Sequence, residues 1–345
     1  MSFVLGLLTL ALLFIVIVQI SKASELIKTL RSGNEQEETF SNSALFVTIL
    51  GFGILIYTLV TCVYYKPHLL PKPASEQGVW IDNLLTITII LTGVVYVITQ
   101  ILLFAFVYKY QYSKKRKAYF FPDNNKLEIA WTIVPSIVLT ILIGFAIQKW
   151  FKIFSPAPKD AIVIEATGKQ YSWVIRYTGA DKKLGKRDFS LVNTDNELGI
   201  DWKDAASHDD FMADEIVLPV NTPVSVNINA LDVIHNFWLP HFRLMMSAVP
   251  GVPTHLWFRP TVTTEEMRKE TNNPKFEYVL ACNKLCGSGH YNMQKKVRVV
   301  TQAEYTQWLS EQHSYYFSVV KPAQDKPATT DTTKVIAAVA EKNAK

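Results

Sequence analysis

Between Cys282 and Met293 the chain reads Cys-Asn-Lys-Leu-Cys-Gly-Ser-Gly-His-Tyr-Asn-Met, which places two thiols, an imidazole and a thioether within twelve residues. Thiolate and thioether sulfur are soft donors and imidazole binds copper well, so this set selects copper over oxygen-seeking magnesium, calcium or manganese. Zinc is the nearest competitor. A closed zinc site takes four Cys or His ligands and has no use for methionine, whereas His, Cys and a weakly held Met recur at electron-transfer copper. One cysteine with His and Met would suit a mononuclear blue-copper site, but Cys286 follows Cys282 by four residues. Two thiolates can bridge two coppers. A second imidazole must then come from elsewhere, and Asp232-Val-Ile-His235-Asn-Phe-Trp-Leu-Pro240 supplies one between a strand-like run and a proline stop. The competing readings are an external disulfide between the two cysteines and Met293 as core filling.

The pattern C-x-x-x-C-x-x-x-H-x-x-M with an upstream D-V-x-H resembles subunit II of the haem-copper cytochrome c oxidases, whose dicopper A centre receives electrons from cytochrome c. The resemblance implies that Cys282 and Cys286 bridge both coppers. His235 with Met293 then completes one metal, and His290 with the backbone carbonyl of Lys284 completes the other. It also implies a cupredoxin-like Greek-key β-barrel carried on a transmembrane hairpin. The expected partners are oxidase subunits I and III, cytochrome c or a membrane-bound cytochrome c donor complex, and the lipid bilayer; no nucleic-acid partner is expected.

The elements that must hold this loop divide the chain in two. The hydrophobic fraction is 49% and is concentrated early, in runs free of charge at 1–21, 39–65, 83–108 and 129–148. Each is near or above the ~20 residues a membrane-crossing helix needs. The organisation expected is two extra transmembrane helices in 1–65, a hairpin anchor at 83–148, a copper domain at 156–312 and a flexible tail at 321–345. Residues 1–21 lack a basic start and a clean A-x-A site, so a retained helix is expected there rather than a signal peptide. Net charge is +5, and much of the basic excess lies in Lys109, Lys114, Lys115, Arg116, Lys117 and Lys126. Loops rich in Lys and Arg stay on the cytoplasmic side. That puts the copper domain outside, on the periplasmic face of a bacterial inner membrane, with both termini outside. Glu128-Ile-Ala-Trp131-Thr-Ile-Val-Pro135 matches the family's E-x-x-W-T-x-x-P, whose carboxylate stands at the mouth of a proton channel; the alternative is a carboxylate placed for the helix dipole.

After Lys149 the pattern changes to short alternating runs, as at Val224, Val226 and Ile228, with further strand-like runs at 161–166, 216–220, 255–258, 276–281 and around Val297 and Val299. Such spacing reads as a small all-β barrel or sandwich. Gln170-Tyr-Ser-Trp-Val-Ile-Arg-Tyr177 alternates aromatics, so Tyr171 and Trp173 are expected on one strand face. By resemblance they receive the incoming electrons, although the family's Q-W-Y-W has tryptophan where this chain has Tyr171. The acidic stretch 195–215 reads as solvated loop, 302–313 as a short amphipathic helix, and Cys62 as a buried, inert small hydrophobe in the second apolar run.

Two departures lie near the metal. Lys284 replaces the glutamate that in the family reaches a magnesium ion at the boundary with subunit I, and the family's K-x-D becomes Met245-Met246-Ser247. An ammonium offers a hard cation no lone pair, so the magnesium is expected to be lost or relocated and Lys284 to pair with an acidic group of the partner. The leading function is electron transfer within a terminal, proton-pumping oxidase. The alternatives are a copper-free quinol oxidase subunit II and the copper-A domain of a nitrous-oxide or nitric-oxide reductase.

Overall fold

The apolar runs become four helices in the computed structural model, which describes residues 2–31, 36–113 and 115–321. They are α1 (Ser2–Arg31), α2 (Gln36–Leu69), α3 (Glu76–Lys109) and α4 (Asn125–Ile153). Among the described residues, three spans are long and apolar enough to cross a membrane: Asn42–Leu69, Glu76–Lys109 and Asn125–Ile153. Side chains such as Ile90, Leu103, Ile133 and Phe145 lie exposed along them, and so does Cys62, against the buried position expected from the sequence, as suits helices apolar all round that meet lipid instead of water. The α4 start is capped by Asn124, whose Oδ1 accepts from Lys126 N at 3.1 Å and Leu127 N at 3.2 Å. Glu128 therefore stands in the first helical turn, where the dipole favours a carboxylate.

The chain forms two compact units. In the first, α2 seats on α3 through a notch: a Cβ at Gly51 would lie 2.2 Å from the Phe104 ring, while Thr48 Oγ1 donates to Phe104 O at 3.3 Å. The second unit joins Pro71–Thr86 to everything from Val138 onward. Here the stretch before α3 is laced to the β domain. Ala74 N donates to His241 O at 2.7 Å and Thr261 N to Ala74 O at 2.9 Å, and Arg243 Nε donates to Asp82 Oδ1 at 2.8 Å.

The strands are β1 (Ile162–Lys169), β2 (Ser172–Tyr177), β3 (Phe211–Ala213), β4 (Ile216–Pro219), β5 (Val224–Ala230), β6 (His235–Leu239), β7 (Leu244–Ala248), β8 (Thr254–Phe258), β9 (Tyr278–Cys282) and β10 (Gln294–Val300). They form two five-stranded sheets in the orders β3-β2-β1-β5-β8 and β4-β10-β9-β6-β7. The β1/β5 and β4/β10 pairs are parallel and the rest antiparallel, the crossovers a cupredoxin-like barrel requires. Alternation sets the core: Ile164, Ala166, Val224, Val226, Ile228, Phe237, Leu280 and Val297 are buried between the sheets. Tyr177 staples them, its hydroxyl accepting from Val217 N at 2.8 Å and donating to Val217 O at 2.9 Å. Two short helices, α5 (Thr264–Glu270) and α6 (Gln302–Ser310), each begin with a capping box, from Thr263 and Thr301. The tail expected at 321–345 lies outside the described residues beyond Lys321.

The acidic stretch 195–215 is not wholly a solvated loop. Asp210 is buried, facing Arg176 Nη1 at 3.2 Å. Arg176 Nε in turn meets Glu165 Oε2 at 2.8 Å, and Arg187 Nη1 meets Glu165 Oε1 at 2.8 Å. Residues 179–210 thus cover the outer side of β1 and β2 with charged groups sealed beneath. Burial pushes the Asp210 carboxyl up to about 6, outweighing Arg176 and the Gly185 amide. Because the folded value lies above the ordinary 3.8, the fold holds an extra proton between the two values, and this contribution to stability is lost as pH rises through about 4 to 6. We expect Asp210→Asn to gain stability relative to the wild type across that window, read as urea midpoints from pH 4 to 7.

Candidate metal centre

The cysteine loop is the β9–β10 connection, and the ladder fixes where it starts and ends. Gln294 pairs with Ala281, and Cys282 N donates to Met293 O at 3.2 Å, closing the neck. On the other flank of β9 lies β6, with Phe237 opposite Cys282, so His235 at the start of β6 arrives beside the loop. His235, Cys282 and Cys286 are all buried, with ligand atoms within 4.8 Å of one another. The two Sγ atoms are 4.0 Å apart and both cysteines are free. Cys286 Sγ lies 3.9 Å from Met293 Sδ and 3.5 Å from His290 Nδ1. Cys282 Sγ lies 3.2 Å from the Lys284 carbonyl. All six residues singled out from the sequence therefore meet at one end of the barrel.

The donor set fits a soft metal, and one atom shows it best. His235 Nε2 is 2.8 Å from Asp232 Oδ1, a carboxylate oxygen placed to accept its N–H. Nδ1 is buried and has no hydrogen-bond partner, an arrangement that is costly unless a ligand takes it up. Gly168 on β1 makes room for the ring, since a Cβ there would lie 3.0 Å from His235 Cδ2. Burial, with the neighbouring Cys282 next, pushes the Cys286 thiol up to about 11, so metal uptake must drive its proton off.

Tyr171 and Trp173 do not share a strand face. The β1–β2 turn takes up Gln170 and Tyr171 and the strand begins at Ser172, so alternation starts one residue too late to pair the rings. Trp173 is 1% exposed, edge-on to His235 with centroids 6.1 Å apart. Tyr171 is 36% exposed and lies across the loop, where a Cβ at Gly289 would sit 2.5 Å from its ring. The Lys284 side chain is exposed, as are Met245 and Leu285 on the same end.

Comparison with known proteins gives two family matches: cytochrome c oxidase subunit II, periplasmic domain, over residues 162–300, and the transmembrane domain of the same subunit over residues 71–148. Together they span well over half of the chain. It belongs to the cytochrome c oxidase subunit II family. The chain is 28% identical over 274 residues to an alternative cytochrome c oxidase subunit 2 of Bradyrhizobium diazoefficiens, covering 79% of this chain and 92% of that one. It is 28% identical over 266 residues to the cytochrome c oxidase subunit 2 of Cereibacter sphaeroides, covering 73% and 82%. Among solved structures, the periplasmic domain of the Bradyrhizobium japonicum subunit is 30% identical, covers 48% of this chain and 97% of that one, and has a TM-score of 0.30.

Within this subunit II, two residues beside the candidate ligands carry little signal in the sequence. Asp232 was visible only as a letter in D-V-I-H; its spacing of three from His235 is the signal that it could orient the ring. Gln170 carried no signal of its own.

Proposed function

We propose that this chain is the electron-transfer subunit of a terminal cytochrome c oxidase, taking electrons from cytochrome c and passing them to haem in subunit I. The observation that carries it is the buried His235, its Nδ1 without a hydrogen-bond partner, clustered with two free thiols. In this reading His235, Cys282, Cys286, His290, Met293 and the Lys284 carbonyl hold two copper ions, which supply a one-electron redox couple when bound. The chain's own work is to keep the ligands dry and fixed while charge changes: Cys282, Cys286, Met293 and His235 are all under 8% exposed. Tyr171, lying over the loop at the surface, receives the electron first; Trp173 serves as the wall behind His235.

Pro71–Thr86 folds with the barrel, which supports an α2–α3 connection on the barrel's side of the membrane. Alternation then puts 22–38 and 109–128 on the inner side, where basic loops belong. This supports both termini outside; in the same reading the chain lies in a bacterial inner membrane, with extra helices at 1–65, an anchor at 83–148 and a copper domain at 156–312. Subunits I and III are the membrane partners, and Glu128 is the candidate at a proton path into subunit I. The exposed Lys284 fits a boundary where magnesium is lost or relocated. The test is metal and spin counting on the assembled protein: two coppers per chain sharing one unpaired electron are expected, and one copper at saturation refutes the reading. Tyr171→Leu should slow reduction by cytochrome c at unchanged copper content; unaltered kinetics would remove Tyr171 from the route.

A further inference from the structure

Two of the ligand-bearing segments are joined by a third that supplies no ligand. Gln170, in the β1–β2 turn, donates its backbone N–H to Asp232 Oδ2 at 2.6 Å, and its side-chain Nε2 donates to the Cys286 carbonyl at 2.6 Å. Asp232 Oδ1 in turn lies 2.8 Å from His235 Nε2, as an acceptor, and accepts the Val233 N–H at 2.7 Å. An unbroken line of hydrogen bonds therefore runs from one imidazole, through a carboxylate and one glutamine, to the backbone of the buried thiol opposite.

The loop has few other ties at this corner. Its inner bonds, from His290 N to Gly287 O and from Asn292 N to Gly289 O, stiffen it without locating it. Asn236 holds the Asn283 end, Nδ2 to Oδ1 at 2.6 Å. Among the described residues, the hydrogen bonds that reach 284–288 from outside the hairpin both start in the β1–β2 turn: the Gln170 amide and the Tyr171 hydroxyl, 3.3 Å from Ser288 Oγ. The contact is also tight. A Cβ at Gly287 would lie 2.4 Å from Tyr171 Oη and 2.9 Å from Gln170 Nε2, so the loop backbone comes as near to this turn as glycine permits.

We propose that Gln170 is a positioning residue of the metal centre, a strut whose two hydrogen bonds hold the Cys286 backbone at a fixed place relative to His235. The inference rests on the copper reading above. Outer partners that orient ligands typically govern metal affinity by about 10- to 100-fold, and a site whose ligands must not rearrange needs such support from residues that are not ligands.

The side chain can be tested alone, because any residue but proline keeps the backbone donor to Asp232. Gln170→Met preserves reach and bulk and removes only the N–H; Gln170→Glu removes it and sets a carboxylate against the carbonyl. In the full-length, copper-free protein, amide exchange at 285–289 should rise about 3- to 10-fold in Gln170→Met, the worth of one neutral hydrogen bond. In the loaded protein, copper affinity should fall about 10-fold or more, with shifted visible bands and hyperfine pattern, and further in Gln170→Glu. Gln170→Met with wild-type exchange, affinity and spectrum would overturn the strut, because filling space is all it would then share with glutamine. If the wild type fails to hold two coppers the copper reading falls instead, while the exchange comparison still decides whether Gln170 fixes the loop.

Discussion

Cys286→Ser is expected to leave the chain folded and unable to hold a copper pair, with the delocalised spectrum gone. Cys286 is the hub of the cluster: its sulfur lies 4.0 Å from Cys282 Sγ, 3.9 Å from Met293 Sδ and 3.5 Å from His290 Nδ1. A hydroxyl fills nearly the same space but is a hard donor that does not deprotonate near neutral pH, so the soft ligand that the proposed function assigns to Cys286 would be lost while packing is kept. The loss of affinity should exceed the roughly 100-fold at the upper end for outer partners. Since burial holds the wild-type thiol up at about 11, loading the wild type should release protons and tighten as pH rises. Titration calorimetry in two buffers of different ionisation heat checks this. A serine variant that keeps two coppers and the wild-type spectrum would remove Cys286 from the bridge.

What the sequence disclosed follows the separation of interacting residues along the chain. Cys282, Cys286, His290 and Met293 were legible because one hairpin loop carries all four, so ligand spacing and loop length are the same fact. His235 came from a motif, and the ladder explains it, since β6 and β9 are neighbours. The strand pattern was equally direct where one face is buried, as at Val224, Val226 and Ile228. Tyr171 was misplaced for a local reason: an alternating run cannot show that its first two residues are spent on a turn. Gln170 and the buried charges were hidden for a distant one. Gln170 meets Cys286 across 116 residues, and an aspartate such as Asp210 reads as solvated until Arg176, 34 residues upstream, is found beside it.

That buried network carries the largest stability effect expected outside the metal centre. Glu165 Oε2 forms an ion pair with Arg176 Nε at 2.8 Å, while its Oε1 accepts from Arg187 Nη1 at 2.8 Å and from Asn229 Nδ2 at 3.0 Å. Its side chain is 6% exposed and that of Arg176 is 2% exposed. Glu165→Ala strands Arg176 in a dry place with Asp210 as its remaining anion, and Asp210 is itself held by burial toward the neutral form. Removing one partner of such a pair costs roughly 3–5 kcal/mol. For a domain of this size that lowers the melting temperature by roughly 6–20 °C, at about 2–4 °C per kcal/mol. The exposed pair Lys72 with Glu270, 51% and 44% exposed, is the control: Lys72→Ala should cost about 1 kcal/mol or less. The double variant Glu165→Leu with Arg176→Met should recover the part of the loss that comes from the stranded Arg176, because apolar groups of similar volume replace a buried pair at little cost, while Arg187 and Asn229 still lack their acceptor. None of these charged groups is hydrogen-bonded to a proposed copper ligand, so copper content should be unchanged in every variant at temperatures where it is folded. Melting curves that put Glu165→Ala level with Lys72→Ala would mean that water reaches Glu165, and that residues 179–210 do not seal the outer side of β1.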